Sequence, residues 1–256
     1  MRSFPALLTL GLLCAAAAPA RADGHGEGMA AIAGGHFMPM FRNGRGTVHV
    51  ETFWMDRLPV TRGEYLDFVT EHQRWRRSRA SHALAGESYL AGWRGDLDPG
   101  PAEELERPAT EVSWFAARAY CEAQGKRLPT TDEWEYAARA SETQVDATRE
   151  AGFSSRLLAL YTSRAGQAGT VGSTFRNVYG VSGLHGLGWE WTEDFNSLLI
   201  SDDSRATSGR DHGLFCAAGV IGATDPSNYP AYLRYGVRAA LTGRTTTRSL
   251  GFRCAQ

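Results

Sequence analysis

The sequence predicts a loop-rich α+β domain in which short helices and strands are joined by irregular segments packed on aromatic side chains. Twenty-nine glycines among 256 residues punctuate the chain, and no stretch sustains helical periodicity over many turns. Seven tryptophans, from Trp54 to Trp191, supply the bulk needed between irregular segments. Helix-start signals recur, each followed by a short apolar pattern, and no internal repeat or long low-complexity linker divides the chain. Length alone leaves one large domain or two small ones open.

At the N-terminus, Arg2 precedes an apolar run over residues 6–18, too short to span a bilayer, and Ala20-Arg21-Ala22 places small residues at −3 and −1 of a cleavage site. Residues 1–22 therefore read as a secretory signal peptide, predicting a periplasmic or secreted protein. Leu13 stands before Cys14 where a lipid-anchored leader needs a small residue, which argues against lipidation. No other stretch is long and apolar enough to cross a membrane. Removing residues 1–22 takes away Arg2 and Arg21 from the 27 basic residues and none of the 28 acidic ones, leaving a formal charge of −3. That balance favours neither nucleic acid nor an anionic membrane surface.

Residues 23–30 read as a flexible Gly-rich start, and the domain itself as residues 31–256. Cleavage after Ala22 would expose Asp23-Gly24-His25, in which a free amine, two amides and the His25 imidazole form a square-planar nitrogen site suited to Cu(II). Residues 36–40 read as part of a strand. Along it His36, Met38 and Met40 alternate, so period two would place an imidazole and two thioethers on one face as a Cu(I) site, with Pro39 restricting the strand to an edge. A frayed terminus followed by core methionines is the plainer alternative.

Further strands are expected at Val48-His49-Val50 and Phe53-Trp54-Met55-Asp56. Thr61 with Glu64 forms a capping box opening a helix whose apolar positions are Tyr65, Leu66, Phe68 and Val69. Residues 74–101 are rich in Arg, Gly and Ser with scattered aromatics, and read as an irregular lobe anchored by Trp75, Tyr89 and Trp93; a substrate groove is the sharper reading. Residues 107–140 then give two helices and a tight joint. Ser113 caps a helix from residue 114 to about 124, Gly125 closes it, and the chain turns at Leu128-Pro129. Thr130 with Glu133 is a second capping box, and Trp134, Ala137 and Ala138 give the next helix its apolar face. Trp114, Ala117 and Cys121 share one face, which points Cys121 into a core.

Val-Ser-Trp, Ala-Tyr-Cys, Gly-Lys-Arg-Leu-Pro-Thr and Glu-Trp-Glu-Tyr-Ala-Ala-Arg within residues 107–140, then Trp189-Glu190-Trp191 and Gly251-Phe252-Arg253-Cys254-Ala255, resemble the sulfatase-modifying-factor family. Its type member is the formylglycine-generating enzyme. The blocks occur in family order from about Ile32 onward, and residues 31–38 look like the family's opening strand. The resemblance implies one domain with a formylglycine-generating-enzyme fold, related to C-type lectins, with little regular secondary structure.

It also implies ligands. Where the family's calcium-bearing members carry an Asn- and Asp-rich loop, residues 141–170 of this chain are poor in oxygen side chains. At the second calcium position only the side chain of Glu190 survives. Set between two tryptophans, Glu190 also has the pattern of a buried structural carboxylate, the reading favoured here over a calcium ligand. The family's iron-dependent members hold iron through histidines in an additional helical domain, for which this sequence offers no counterpart. His185, beside Gly186, reads as a loop or core residue.

Without the leader three cysteines remain, Cys121, Cys216 and Cys254, which allows one pair and one thiol, or no pair. The resemblance implies a Cys121–Cys254 bridge, closing a loop of well over one hundred residues and contributing on the order of 4 kcal/mol. It further implies a pair of active-site cysteines that bind Cu(I) as thiolates and activate dioxygen to oxidise a substrate cysteine. Cys216 stands in that region, one position out of register, and residues 225–238, across the second position, contain no cysteine. One thiolate seldom holds Cu(I) alone. No nucleophile elbow, zinc-protease helix or phosphate loop is present.

The sequence thus reads as an exported relative of the formylglycine-generating enzyme, a divergent oxidase or protein-maturation factor. Cys216 is its candidate catalytic residue, copper its expected metal, and a protein or peptide its partner; the protein itself is expected to be a monomer. The alternatives are a non-catalytic binding or assembly module of the cell envelope, and, for Cys216, a small apolar residue on a buried strand.

Overall fold

The computed structural model describes residues 28–40, 46–163, 169–196 and 228–256. The architecture is α+β with little regular structure, as expected. Strand β1 (Met29–Ile32) pairs antiparallel with β4 (Phe53–Asp56), aligning Ala30 with Met55. Strand β2 (Gly35–Phe37) pairs antiparallel with β3 (Val48–Val50), and β5 (Trp189–Glu190) runs parallel to β6 (Leu250–Gly251). The described helices are α1 (Arg62–Glu71), α2 (Trp114–Ala123), α3 (Thr131–Ala138), α4 (Phe153–Ser163) and α5 (Tyr229–Ala239).

The opening strand expected over residues 31–38 is two strands instead, divided at Gly34. A Cβ there would collide with the carbonyl oxygen of Val50 and come within 2.6 Å of the Thr52 nitrogen. Backbone that close leaves room only for hydrogen, and the chain leaves one sheet there to enter the next. Gly34→Ala is expected to lower stability by about 1–3 kcal/mol, since the neighbouring strand must move. An unchanged urea midpoint would show that the crossing yields freely.

The helix starts follow the sequence. Thr61 and Thr130 both form complete capping boxes, with Glu64 and Glu133, and Ser113 accepts from the Ala116 backbone N–H. Past α2, Gly125 adopts φ +68°, the left-handed conformation that closes the helix. Helices α4 and α5 lie where the sequence reading placed no element. Asn228 caps α5 by accepting from the Ala231 N–H, and Pro230 sits in its first turn.

Two main apolar clusters form the core. One gathers α1, α2 and the lobe, and there Trp75, Tyr89 and Trp93 are all buried, as anchors rather than as a groove wall. The second packs Ile32, Phe53 and Met55 of the first sheet under Trp134 and Ala137 of α3. Cys121 and Cys254, 133 residues apart, form a fully buried disulfide, the pairing implied by the resemblance. Beyond it the chain is woven in: Ala255 bridges to both Met55 and Arg127, and Gln256 exchanges backbone hydrogen bonds with Trp54.

Candidate functional site

Helix α3 turns Trp134 and Glu135 inward on successive positions, and α5 answers with Arg234 and Arg238, four residues apart on one face. All four are buried. Arg234 donates from Nη2 and Nε to the Glu135 carboxylate at 2.6 and 2.9 Å, and Arg238 donates from Nη1 at 2.6 Å. Both guanidinium groups also lie over the Trp134 ring, at 5.5 and 4.9 Å from its centroid. Burial alone would push the Glu135 carboxyl upward; the two guanidinium charges outweigh it and hold it at about 2.

A neutral relay continues from this cluster. Arg234 Nη1 donates to the Tyr161 hydroxyl at 3.1 Å, and that hydroxyl lies 2.8 Å from His185 Nδ1. The other ring nitrogen, Nε2, lies 2.8 Å from the Ala138 carbonyl, an obligatory acceptor, so the His185 proton resides on Nε2 and Nδ1 accepts from Tyr161. Burial, reinforced by the nearby Arg234 charge, lowers His185 to about 3, so the imidazole stays neutral at working pH. His185 is thus a satisfied core residue.

Above Glu135 and Arg234 opens a cavity of about 480 Å³, within the range of small-ligand and side-chain pockets. One wall is apolar, formed by Phe37, Met38, Met40, Phe153 and Leu157. The other carries Arg139, Asp146, Thr148 and Arg149. Arg139 is ion-paired with Asp146 through Nη2, while its Nε is buried without a hydrogen-bond partner among the described residues. Arg149 is exposed at the rim. The arrangement suits an extended chain segment: an apolar side chain against the methionine and phenylalanine wall, its polar backbone or an acidic group toward the arginines.

The metal sites expected from sequence map unevenly. Met38 and Met40 both line the cavity, yet they do not continue one strand face with His36: β2 ends at Phe37, Met38 is 41% exposed, and Met40 is buried against Ala231 and Tyr235. The three-residue alternating face is therefore corrected, because Pro39 lies beyond the strand and period two stops there. Glu190, the expected calcium position, accepts from Trp134 Nε1 at 2.7 Å and from Arg253 Nε and Nη2 at 2.8 and 2.7 Å. A guanidinium occupies the place a cation would take, so these residues do not fit a calcium ion. Cys216 and His25 lie outside the described residues. Among the described residues no three His, Cys, Asp or Glu side chains converge on a metal position, and Cys121 and Cys254 have no thiolate to offer while bridged. Among the described residues the donor set does not fit a copper dithiolate.

Sequence reasoning passed over Glu135, Arg234 and Arg238. The signal that could have found them is the pair of arginines four apart after an Asn-Tyr-Pro helix start.

A family model described as the sulfatase-modifying factor enzyme 1-like domain matches residues 15–256. The chain is 28% identical over 282 residues to the Bos taurus protein named inactive C-alpha-formylglycine-generating enzyme 2, covering 91% of this chain and 89% of that one. It is 27% identical to the formylglycine-generating enzyme of Streptomyces coelicolor, covering 82% and 79% respectively. Among solved structures, PvdO from Pseudomonas aeruginosa aligns over 89% of this chain and 93% of its own with a TM-score of 0.46 and 20% identity.

Proposed function

Since the chain belongs to the sulfatase-modifying-factor family, we propose that it is an exported protein-maturation factor that engages a segment of a protein partner in the cavity above Glu135, and that it forms no formylglycine. The observation carrying this reading is the sulfur inventory. Of the three cysteines left after leader removal, two are consumed by the Cys121–Cys254 disulfide, so Cys216 has no second thiol with which to hold Cu(I). Helix α5, free of cysteine, spans most of the stretch where the resemblance would put that second thiol. The relative named as inactive supports the same direction. The cavity supports engagement of a chain segment, because it joins an apolar wall to an arginine whose buried Nε has no partner among the described residues.

A sulfatase-type peptide containing cysteine, incubated in air with Cu(I) and the mature protein, is expected to return unmodified by mass spectrometry. Appearance of the aldehyde would overturn the proposal. Its loss in Cys216→Ser would then assign an oxidase role to Cys216, the second reading, which rests on this cysteine lying outside the disulfide pair.

A further inference from the structure

His36 and His49 stand directly opposite each other on β2 and β3. Their ring centroids are 4.6 Å apart with the planes tilted by 45°, and both residues are exposed. Glu51, two positions beyond His49, reaches back so that its Oε1 lies 3.2 Å from His49 Nε2. The solvent face of this short ribbon thus gathers two imidazoles and a carboxylate. Ordinary strand preference would place β-branched or aromatic residues there, and a pair of facing histidines adds nothing to the core.

We propose that His36 and His49 form a surface site for a first-row transition cation, with Cu(II) bound more tightly than Zn(II), and that Glu51 supplies a third ligand or orients His49. Two imidazoles on one cation, with metal–nitrogen distances of about 2.0–2.1 Å and an angle between square and tetrahedral, place their ring centroids about 4.5–5.3 Å apart. The observed 4.6 Å lies inside that interval, so the two rings already stand at the separation chelation requires. Neutral imidazole with a carboxylate is the donor set that suits these borderline cations, and the Irving–Williams order puts Cu(II) above Zn(II). No preformed cluster of three such side chains exists among the described residues, so the site binds through two nitrogens and completes its shell with water and Glu51. Cross-strand pairing fixes the spacing of the two ligands, which lowers the ordering cost of chelation. The site is distinct from the arrangement expected from sequence: His36 keeps its place, but its partners are His49 and Glu51 across the ribbon rather than the two methionines.

The test is titration of the mature protein with Cu(II) and, separately, Zn(II), against His49→Ala and a His36→Ala/His49→Ala double variant, with histidine ring signals followed by NMR. Asp23-Gly24-His25 is present in all three proteins, so copper bound at the N-terminus cancels in the comparison. The parent is expected to bind one more equivalent of Cu(II) than the double variant, to show selective broadening of the His36 and His49 ring signals, and to lose about tenfold or more in Zn(II) affinity with either variant. Because both side chains are exposed, the variants should melt like the parent. Equal stoichiometry and affinity in all three proteins would overturn the proposal, as would copper broadening confined to other histidines.

Discussion

Glu135→Ala is expected to lower stability by about 3–5 kcal/mol at neutral pH, because it strands two buried guanidinium groups with no opposing charge. Urea denaturation at pH 7 is the measurement, and a loss below about 1 kcal/mol would mean that Arg234 and Arg238 find water or other partners without strain. Replacing all three with Glu135→Met, Arg234→Met and Arg238→Met should cost less than Glu135→Ala alone, since the charges leave together. The acid limb gives an independent reading. The Glu135 carboxyl is depressed in the fold, to about 2 from an ordinary 4.5, so its contribution is fully present above about pH 4.5 and is lost as pH falls toward 2. That contribution is on the order of 3 kcal/mol. The stability of Glu135→Ala should therefore fall less steeply than that of the parent between those two pH values.

The double variant Cys121→Ala/Cys254→Ala is expected to be less stable by about 2–5 kcal/mol than the oxidised parent, and close to the parent under reductant. The bridge spans 133 residues, so most of its effect in the chain-entropy view falls on the unfolded ensemble, which it keeps from expanding. Non-reducing peptide mapping should recover Cys121 joined to Cys254 with Cys216 as a thiol. Recovery of Cys216 joined to either of them would contradict the pairing.

The features that could be read from sequence are those whose causes are local. The caps at Thr61 and Thr130 are settled within three residues, by a hydroxyl and a carboxylate exchanging bonds with neighbouring backbone, and both formed as expected. Gly34 divides a strand because of Val50 and Thr52, which local patterning around Gly34 does not register. Helix α5 escaped notice for a related reason. Periodicity searches look for an apolar stripe, and the buried face of α5 includes Arg234 and Arg238, whose partner Glu135 is about one hundred residues away. The cavity inherits that difficulty, since its floor is Glu135 and Arg234 and its walls come from β2, the segment of residues 139–149, α4 and α5. Cysteine counting left the pairing open and only the resemblance implied it. His36 was singled out from sequence, but with the wrong neighbours, because cross-strand register is invisible in a single strand's alternation.

The weaving of residues 254–256 into the first sheet bears on how the molecule comes into being. Strand β4 has β1 on one side early in synthesis, but its other hydrogen-bonding partners, the carbonyl of Cys254 and the backbone of Gln256, come much later in the chain, Cys254 lying 198 residues beyond Asp56. Arg127, at the joint between α2 and α3, likewise waits for Ala255. Contacts of such long sequence separation slow folding, because loop closure must precede any reward from the contact. Such contacts favour folding of the domain as one unit. While residues 254–256 are still to be made, β4 lacks this strap and Cys121 has no Cys254 to pair with.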